Sequence, residues 1–201
     1  IDVNAEISHQ VEKLKSEIKY AYNETKKTLG DNIYRGHSRA ISSDIEDGIA
    51  LFISRLQPSC KIFLDPSIHI DRKTHRPDLL VINNKNEVIA MVEIKANMGW
   101  CRNASGVILK ILSEDLIFKN KRTINCEFSN NRSYDTSYSN NVKLFLISLT
   151  KGNCSDKNHK SNKEYANANN VYQFNLFDGW YDSLINCEIE EFAKQIKNLA
   201  V

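Results

Sequence analysis

Asp78, Glu93 and Lys95 are the side chains whose types and spacing could do chemistry. Two neighbouring carboxylates at the edge of an apolar layer repel each other and lose hydration, so a divalent cation is their natural partner. Oxygen ligands suit Mg²⁺, which keeps several waters and takes one or two carboxylates together with a substrate phosphate. A lysine beside such an ion can hold or deprotonate an attacking water and offset charge on a phosphate oxygen. These requirements are those of phosphodiester hydrolysis.

A β-hairpin is predicted to bring these three side chains together. Two apolar segments of strand length flank residues 83–87, a polar stretch that predicts a hairpin loop of four to five residues. If Asn83 pairs with Val88, the antiparallel register places Asp78 directly opposite Glu93. The lysine shares the face of the glutamate because strand side chains alternate with a period of two. Three charged groups should therefore converge at one end of the ribbon.

The same register sorts the apolar side chains of the ribbon between its two faces. The pairs Leu80–Met91 and Ile82–Ile89 would continue the face of the carboxylates. The opposite face would hold five further apolar residues, namely Leu79, Val81, Ala90, Val92 and Ile94. A hairpin that is apolar on both faces is expected in the centre of a sheet that is covered on each side.

Pro77-Asp78, followed after a gap by Glu93-Ile94-Lys95, resembles the PD-(D/E)xK motif of the restriction-endonuclease-like nucleases. That superfamily carries the motif on hairpin strands. The resemblance implies Mg²⁺-dependent cleavage of nucleic-acid phosphodiesters, usually DNA, with a 5′-phosphate on the product and with Mn²⁺ able to substitute. It implies that Asp78 and Glu93 are metal ligands, that the main-chain carbonyl of Ile94 is a further ligand, and that Lys95 is the catalytic lysine.

Other readings of this motif remain open. The acid-x-Lys pattern recurs at Glu17-Ile18-Lys19, Glu24-Thr25-Lys26 and Asp71-Arg72-Lys73, although without the preceding Pro-Asp and the strand context. A structural ion pair between Lys95 and either acid is one alternative, but a buried charge group is weak evidence for stability. A nucleic-acid-binding or assembly module that keeps the fold without cutting is another, and a junction-resolving or repair nuclease is a third.

Glu46 is the candidate for a helix acid near the metal, a feature that nucleases of this superfamily often have. It borders the apolar stripe of a helix predicted over residues 43–56. Ser43-Asp44-Ile45-Glu46 also fits a capping box in which the glutamate serves the helix start. Asp44 or Asp47 could take the metal role instead.

Four basic residues are candidates for contacts with nucleic-acid phosphates, namely Arg72, Lys73, Arg76 and Lys110. The first three form a basic segment immediately before the Pro-Asp pair, although charge runs are also typical of solvated turns. Lys110 is the polar exception on an apolar helix predicted over residues 105–120, where a surface lysine is the alternative.

The remaining periodicities predict an α/β fold with a mixed central sheet flanked by helices on both faces, and the resemblance implies a restriction-endonuclease-like core. Residues 1–30 form the N-terminal helix region, with the helix itself over residues 4–29, and residues 42–120 form the core that carries the motif. Further strands are expected at residues 61–64, 67–70, 143–150 and 171–177, with a last helix over 188–201. Residues 121–142 and 151–170 are polar and are predicted to be two long loops, where recognition could take place.

The chain has 201 residues, of which 41% are hydrophobic and 26% are charged, as expected for a single globular domain. Its formal net charge of +2 permits nucleic-acid binding without arguing for it. Five cysteines without a C-x-x-C spacing argue against a zinc site or a disulfide framework.

Neither a signal-like segment nor a long apolar run occurs in the sequence, so we expect a cytoplasmic protein without a membrane partner. DNA is the expected partner, and no small-molecule cofactor is expected. The superfamily commonly acts as dimers that cut both strands, so a homodimer is a further expectation from the resemblance.

Overall fold

One branched β-sheet organises the part of the chain that the computed structural model describes, which comprises residues 2–25, 41–98, 104–129, 131–152 and 154–199. The helices in these ranges are α1 (Val3–Thr25), α2 (Ser42–Leu56), α3 (Ser105–Lys121), α4 (Asp156–Ala168) and α5 (Ile189–Lys197). The strands are β1 (Lys61–Leu64), β2 (Ser67–Ile70), β3 (Lys73–His75), β4 (Leu79–Ile82), β5 (Glu87–Asn97), β6 (Thr123–Glu127), β7 (Ser133–Thr150), β8 (Val171–Asp178) and β9 (Ile185–Asn186).

The sheet is open and mixed. β1, β4 and β5 are antiparallel neighbours, whereas β7 runs parallel to β5 after the crossover through α3. β7 is 18 residues long and serves two branches. Its first part pairs with β6, which leads to β2 and β3, and its second part pairs in parallel with β8.

Helices cover both faces of the sheet, as the sequence predicted. One core packs α1, α2 and α5 against side chains such as Val92 and Phe145. The other core packs α3 and α4 against side chains such as Met91 and Leu146 on the opposite face. The α/β class is therefore confirmed. None of the helices in the described ranges combines the length and the apolar character that crossing a membrane requires.

The N-terminal helix buries the apolar stripe that its periodicity predicted. Ile7, Val11, Leu14 and Ile18 recur at steps of four and three residues, and all four are buried. The helix is described to Thr25, whereas the predicted end lies outside the described residues.

The central hairpin has the predicted register over most of its length. Leu79, Leu80 and Val81 pair with Val92, Met91 and Ala90, respectively. The prediction is wrong at the loop, where a bulge pairs Ile82 with Val88 instead of Ile89, and where the Asn83 N–H bonds to the Glu87 carbonyl at 2.9 Å. The bulge turns Ile89 into the core of α1 and α2, on the face opposite to the predicted one.

The reason for the bulge is a tight turn. Asn83 Oδ1 accepts hydrogen bonds from the N–H groups of Lys85 and Glu87, both at 3.0 Å, and Asn86 adopts a left-handed φ of 62°. These bonds close the loop earlier than the predicted pairing would. Beyond the bulge, the register at the carboxylate end of the hairpin is the predicted one.

The two predicted polar loops are wrong. Residues 121–142 contain the end of α3, all of β6 and the start of β7, which pair as a second hairpin with Cys126 opposite Tyr134. Alternate residues Thr136 and Tyr138 are buried, so one face of a strand that looks polar is in fact packed.

Residues 151–170 contain α4. Ser155 caps this helix by accepting a hydrogen bond from the Asn158 N–H at 3.3 Å. Its buried residues are Asn162 and Ala166, so its apolar stripe is too thin for a periodicity argument.

Candidate metal and nucleic-acid site

Asp78 lies immediately before β4, where two backbone contacts fix it. Its carbonyl accepts a hydrogen bond from the Asp65 N–H at 2.9 Å. Its side-chain Oδ2 accepts one from the Ile94 N–H at 2.6 Å. The carboxylate therefore lies directly against β5, as the predicted register required.

Lys95 connects the predicted metal ligands. Its ammonium donates to Glu93 Oε1 at 2.8 Å and to the Ile94 carbonyl at 3.3 Å. The same nitrogen lies 3.9 Å from Asp78 Oδ2. The Lys95 ammonium thus contacts an oxygen of each of the three metal ligands that the sequence predicted. The side chains of Asp78, Glu93 and Lys95 converge at one end of the hairpin.

A second lysine, which the sequence assigned to phosphate contact, pairs with the same glutamate. Lys110 on α3 donates to both carboxylate oxygens of Glu93, at 3.1 Å and 3.0 Å. The Glu93 side chain is only 5% exposed, so this pairing holds a nearly buried carboxylate in one orientation. We call Asp78, Glu93, Lys95 and Lys110 the carboxylate cluster.

The cluster continues along α3 in a way that the sequence analysis missed. Glu114 lies one turn after Lys110, and its Oε1 is 3.7 Å from Nδ1 of His75. Burial raises the pKa of Glu114, against the opposing effect of the Lys110 ammonium. Burial lowers the pKa of Lys110, but the Glu93, Glu114 and Asp78 carboxylates together outweigh burial, so that the pKa is raised overall. The i, i+4 spacing of Lys110 and Glu114 on α3 is the feature of the sequence that could have predicted their proximity.

Burial and like charge act together on Asp78. Burial first, and the Glu93 carboxylate second, raise the pKa of the Asp78 carboxyl above its ordinary value, against the Ile94 hydrogen bond and the two lysines. A cation that neutralised these acids would relieve that penalty.

Glu46 lies close enough to be part of the same electrostatic system. Burial raises the pKa of Glu46, and the next contributions come from Asp78 and Asp65. The capping-box alternative is wrong, because α2 has Ile41 at its cap position and no side-chain cap hydrogen bond. Asp44 and Asp47 are exposed, whereas Glu46 is half-buried.

The three basic residues before the motif are not drawn into the cluster. Arg72 lies in the turn between β2 and β3, Lys73 begins β3, and Arg76 follows it, and all three are exposed. Within the described ranges, no hydrogen bond or ion pair joins them to Asp78 or Glu93. The predicted basic turn is partly a strand, because residues 73–75 pair with β2.

Comparisons with known proteins do not identify the chain. No protein-family model, curated protein or solved structure matches it. What the carboxylate cluster does must therefore be inferred from its own geometry.

The donor set fits a hard divalent cation. Among the described residues, no group of three or more His, Cys, Asp or Glu side chains could hold a metal ion. Mg²⁺ needs fewer, since one or two carboxylates suffice when waters and phosphate oxygens complete its shell. Two carboxylates and a carbonyl contact a single ammonium here, so the Lys95 nitrogen stands in for a cation at their point of convergence.

Proposed function

We propose that this chain is a Mg²⁺-dependent endodeoxyribonuclease that hydrolyses DNA phosphodiester bonds on a restriction-endonuclease-like core. The observation that carries the proposal is the contact of one ammonium with the oxygens of Asp78, Glu93 and Ile94. The position of Asp78 immediately before β4 and of Glu93 on β5, its antiparallel neighbour, supports the finer fold assignment.

Asp78, Glu93 and the Ile94 carbonyl would hold the ion, which when bound would polarise the scissile phosphate and supply an acidified water. Mn²⁺ accepts the same oxygen ligands and should substitute. Lys95 hydrogen-bonds to the Glu93 carboxylate and the Ile94 carbonyl and lies 3.9 Å from Asp78, so it can orient the water and stabilise charge on the phosphate. Lys110 donates to both oxygens of the Glu93 carboxylate and so holds it in one orientation.

DNA is the proposed partner, and a homodimer that cuts both strands belongs to the same proposal. The exposed side chains of Arg72, Lys73 and Arg76 are available for phosphate contacts away from the carboxylate cluster. Light scattering of the protein with and without a short duplex tests the dimer.

A second candidate function is a nucleic-acid-binding module that does not cut. It is favoured by one observation, which is that both oxygens of Glu93 already pair with lysine ammoniums. A carboxylate whose charge is balanced by lysines of the same chain needs no metal ion.

One assay separates the two candidates. Supercoiled plasmid, linear duplex and single-stranded DNA are incubated with the full chain in Mg²⁺, Mn²⁺ or EDTA, and the fragment ends are mapped. The nuclease proposal expects metal-dependent fragments with 5′-phosphates, and it expects Asp78→Ala to abolish them. Asp71→Ala is the matched control, because Asp71 opens an acid-x-Lys pattern on an exposed turn and pairs with Lys121. DNA binding without cleavage under either metal would establish the non-cutting module instead.

A further inference from the structure

Three aromatic rings meet at the surface where β1 approaches the second hairpin. The ring centroid of Phe63 lies 5.1 Å from that of Phe128 and 5.6 Å from that of Tyr134. The rings of Phe128 and Tyr134 are 6.0 Å apart. Phe63 is buried and Phe128 is half-buried, whereas Tyr134 is 42% exposed, so the triad is a core with one open side.

Strand alternation explains why these residues meet. Lys61 and Phe63 are two residues apart on β1 and so share a face. Phe128, Arg132 and Tyr134 share a face at the tip of the β6–β7 hairpin, whose turn is closed by the Phe128 N–H bonding to the Arg132 carbonyl at 2.9 Å. The two faces line an open surface cavity of about 500 Å³, whose lining residues are Lys61, Phe63, Phe128, Ser129, Arg132 and Tyr134. We call this cavity the aromatic groove.

The charges around the aromatic groove are sorted by sign. Lys61 and Arg132 line the cavity. The acids of the same hairpin lie at alternate positions and are engaged elsewhere. Glu127 lies 3.4 Å from Nε2 of His69, and Asp135 accepts a hydrogen bond from Asn125 at 2.8 Å. The groove therefore presents ring faces and cations together, which suits a ligand with a flat apolar part and a negative part.

We propose that the aromatic groove binds an unpaired base of a single-stranded nucleic acid, with Tyr134 as the stacking platform. Bases stack on aromatic side chains whatever their sequence, while lysine and arginine follow the phosphates. The bases of an intact duplex are already stacked on each other, so the groove selects an unpaired stretch. An apolar peptide would use the rings but would bring no negative charge to Lys61.

The aromatic groove lies on the strand that leads to the carboxylate cluster. Phe63 precedes Asp65 by two residues, and the Asp65 N–H bonds to the carbonyl of Asp78 at 2.9 Å. The groove therefore lies beside the end of β1 that leads into this contact. The inference deepens the proposed nuclease function and rests on it for the class of ligand, because one strand could engage both places.

Binding is measured without cleavage, using the full chain in EDTA. Fluorescence anisotropy records the affinity for labelled twelve-residue oligothymidine and oligouridine and for a duplex of equal length. Tyr134→Ala should weaken single-strand binding roughly 5- to 150-fold, the range for loss of one stacked base, while Tyr134→Phe should retain it. Lys61→Ala should weaken binding and reduce its salt dependence, lowering the log–log slope by about 0.7.

Tyr172→Ala is the matched control. Tyr172 is a strand tyrosine with 38% exposure, its ring stacks on Phe145, and Lys143 lies 5.8 Å from its centroid. Its loss should leave the affinity unchanged. Equal losses in the two alanine variants, or no loss in Tyr134→Ala, would overturn the proposal. A preference of the oligothymidine over the oligouridine identifies DNA as the source of the base, and the reverse identifies RNA.

A second measurement serves if Tyr134→Ala does not fold. Photo-crosslinking of wild-type protein to an oligonucleotide containing 5-iodouracil should attach the base to Tyr134 or Phe128, as mapped by mass spectrometry. Attachment only elsewhere would contradict the groove. Retained crosslinking in a wild-type protein that never cuts DNA would keep the groove and reject the nuclease, so the two failures are distinguishable.

Discussion

The carboxylate cluster has a neighbour on the same face of the sheet that is built from a different kind of group. Lys95 on β5 is paired in register with Ser148 on β7, which is paired in turn with Asn175 on β8. We call this neighbour the amide cluster, and it comprises Ser148, Asn175, His159 and Glu188.

The amide cluster is a closed set of hydrogen bonds. Asn175 accepts from the Ser148 hydroxyl, its amide nitrogen pairs with His159 Nδ1 at 2.9 Å, and its backbone N–H donates to Glu188 at 2.7 Å. Ser148 and Asn175 are each 1% exposed. Each buried donor in this chain of contacts meets an acceptor, as a structural network requires.

The carboxylate cluster differs because its groups are charged. Both oxygens of Glu93 pair with lysine ammoniums, yet the pKa of Asp78 is raised, first by burial and then by the Glu93 carboxylate. The two neighbouring clusters thus differ in whether one of their groups is held in an environment that disfavours its charged form. The comparison indicates that the amide cluster stabilises the sheet, whereas a cation beside Asp78 would favour the charged form of that carboxylate.

The largest expected effect is on cleavage. Lys95→Ala removes the group that contacts all three ligand oxygens, so we expect cleavage in Mg²⁺ to fall by about 10²–10⁴-fold. Gel quantification of plasmid cleavage measures it. Lys19→Ala is the control, because Lys19 ends an acid-x-Lys pattern on the exposed side of α1 and should be neutral. Full activity in the Lys95 variant would remove the distinction between the clusters.

A substitution in the amide cluster should lower stability and leave cleavage nearly unchanged. Asn175→Ala leaves Ser148 and His159 without their shared partner, so the free energy of unfolding should fall by about 1–3 kcal/mol. Urea titration followed by circular dichroism measures this loss. Cleavage well below the melting temperature should stay within about twofold of wild type. Asn167→Ala, at an exposed position of α4, should change stability by less than about 0.5 kcal/mol.

Glu46 tests how far the carboxylate cluster extends. Glu46→Gln removes the charge of a carboxyl group whose pKa is raised, first by burial and then by the Asp78 carboxylate. If that charge supports the metal, the Mg²⁺ concentration for half-maximal cleavage should rise about tenfold. Titration of Mg²⁺ at saturating DNA gives this value. Asp44→Asn is the control on the same helix, and an identical response of the two variants would exclude Glu46 from the site.

The smallest expected effect is a pH-dependent shift in melting temperature. The pKa of Asp78 is raised above 3.8, first by burial and then by Glu93, so the folded state binds this proton more tightly than the unfolded state. The resulting stabilisation is present below pH 3.8 and is lost as the pH rises through the folded-state pKa.

Asp78→Asn has no carboxyl group to ionise, so its stability does not fall as the pH rises through that pKa. Its amide oxygen can still accept a hydrogen bond from the Ile94 N–H. We therefore expect its melting temperature at pH 7 to exceed that of wild type, by a few degrees at most. The gain should shrink as the pH falls toward 4. Calorimetry in EDTA at several pH values checks this, and a lower melting temperature at pH 7 would show that attraction to Lys95 dominates.

The sequence predicted the central hairpin because its signal is local. Two apolar segments around a short polar stretch indicated the hairpin, and the assumed pairing of Asn83 with Val88 placed Leu79 opposite Val92, from which the convergence of the charged side chains followed. The bulge beside Ile82 could not be predicted from the pattern of apolar and polar residues, because it depends on the hydrogen bonds of the turn.

The contact of Lys110 with Glu93 could not be predicted either, because it depends on how α3 lies across the sheet. The second hairpin was missed for another reason. Its strands have one exposed face, so Asn, Ser and Arg mask the alternation of Tyr134, Thr136 and Tyr138. In α4, asparagine-rich composition and a two-residue buried stripe similarly concealed a helix.

The ammonium of Lys95 at the meeting point of three oxygens has a consequence for how the protein matures. A polypeptide that supplies its own counter-ion can complete its fold in a chelating buffer, before any metal arrives. If the chain is the nuclease proposed above, assembly and activation are separate events, and the folded protein would accumulate in a silent form until magnesium is supplied.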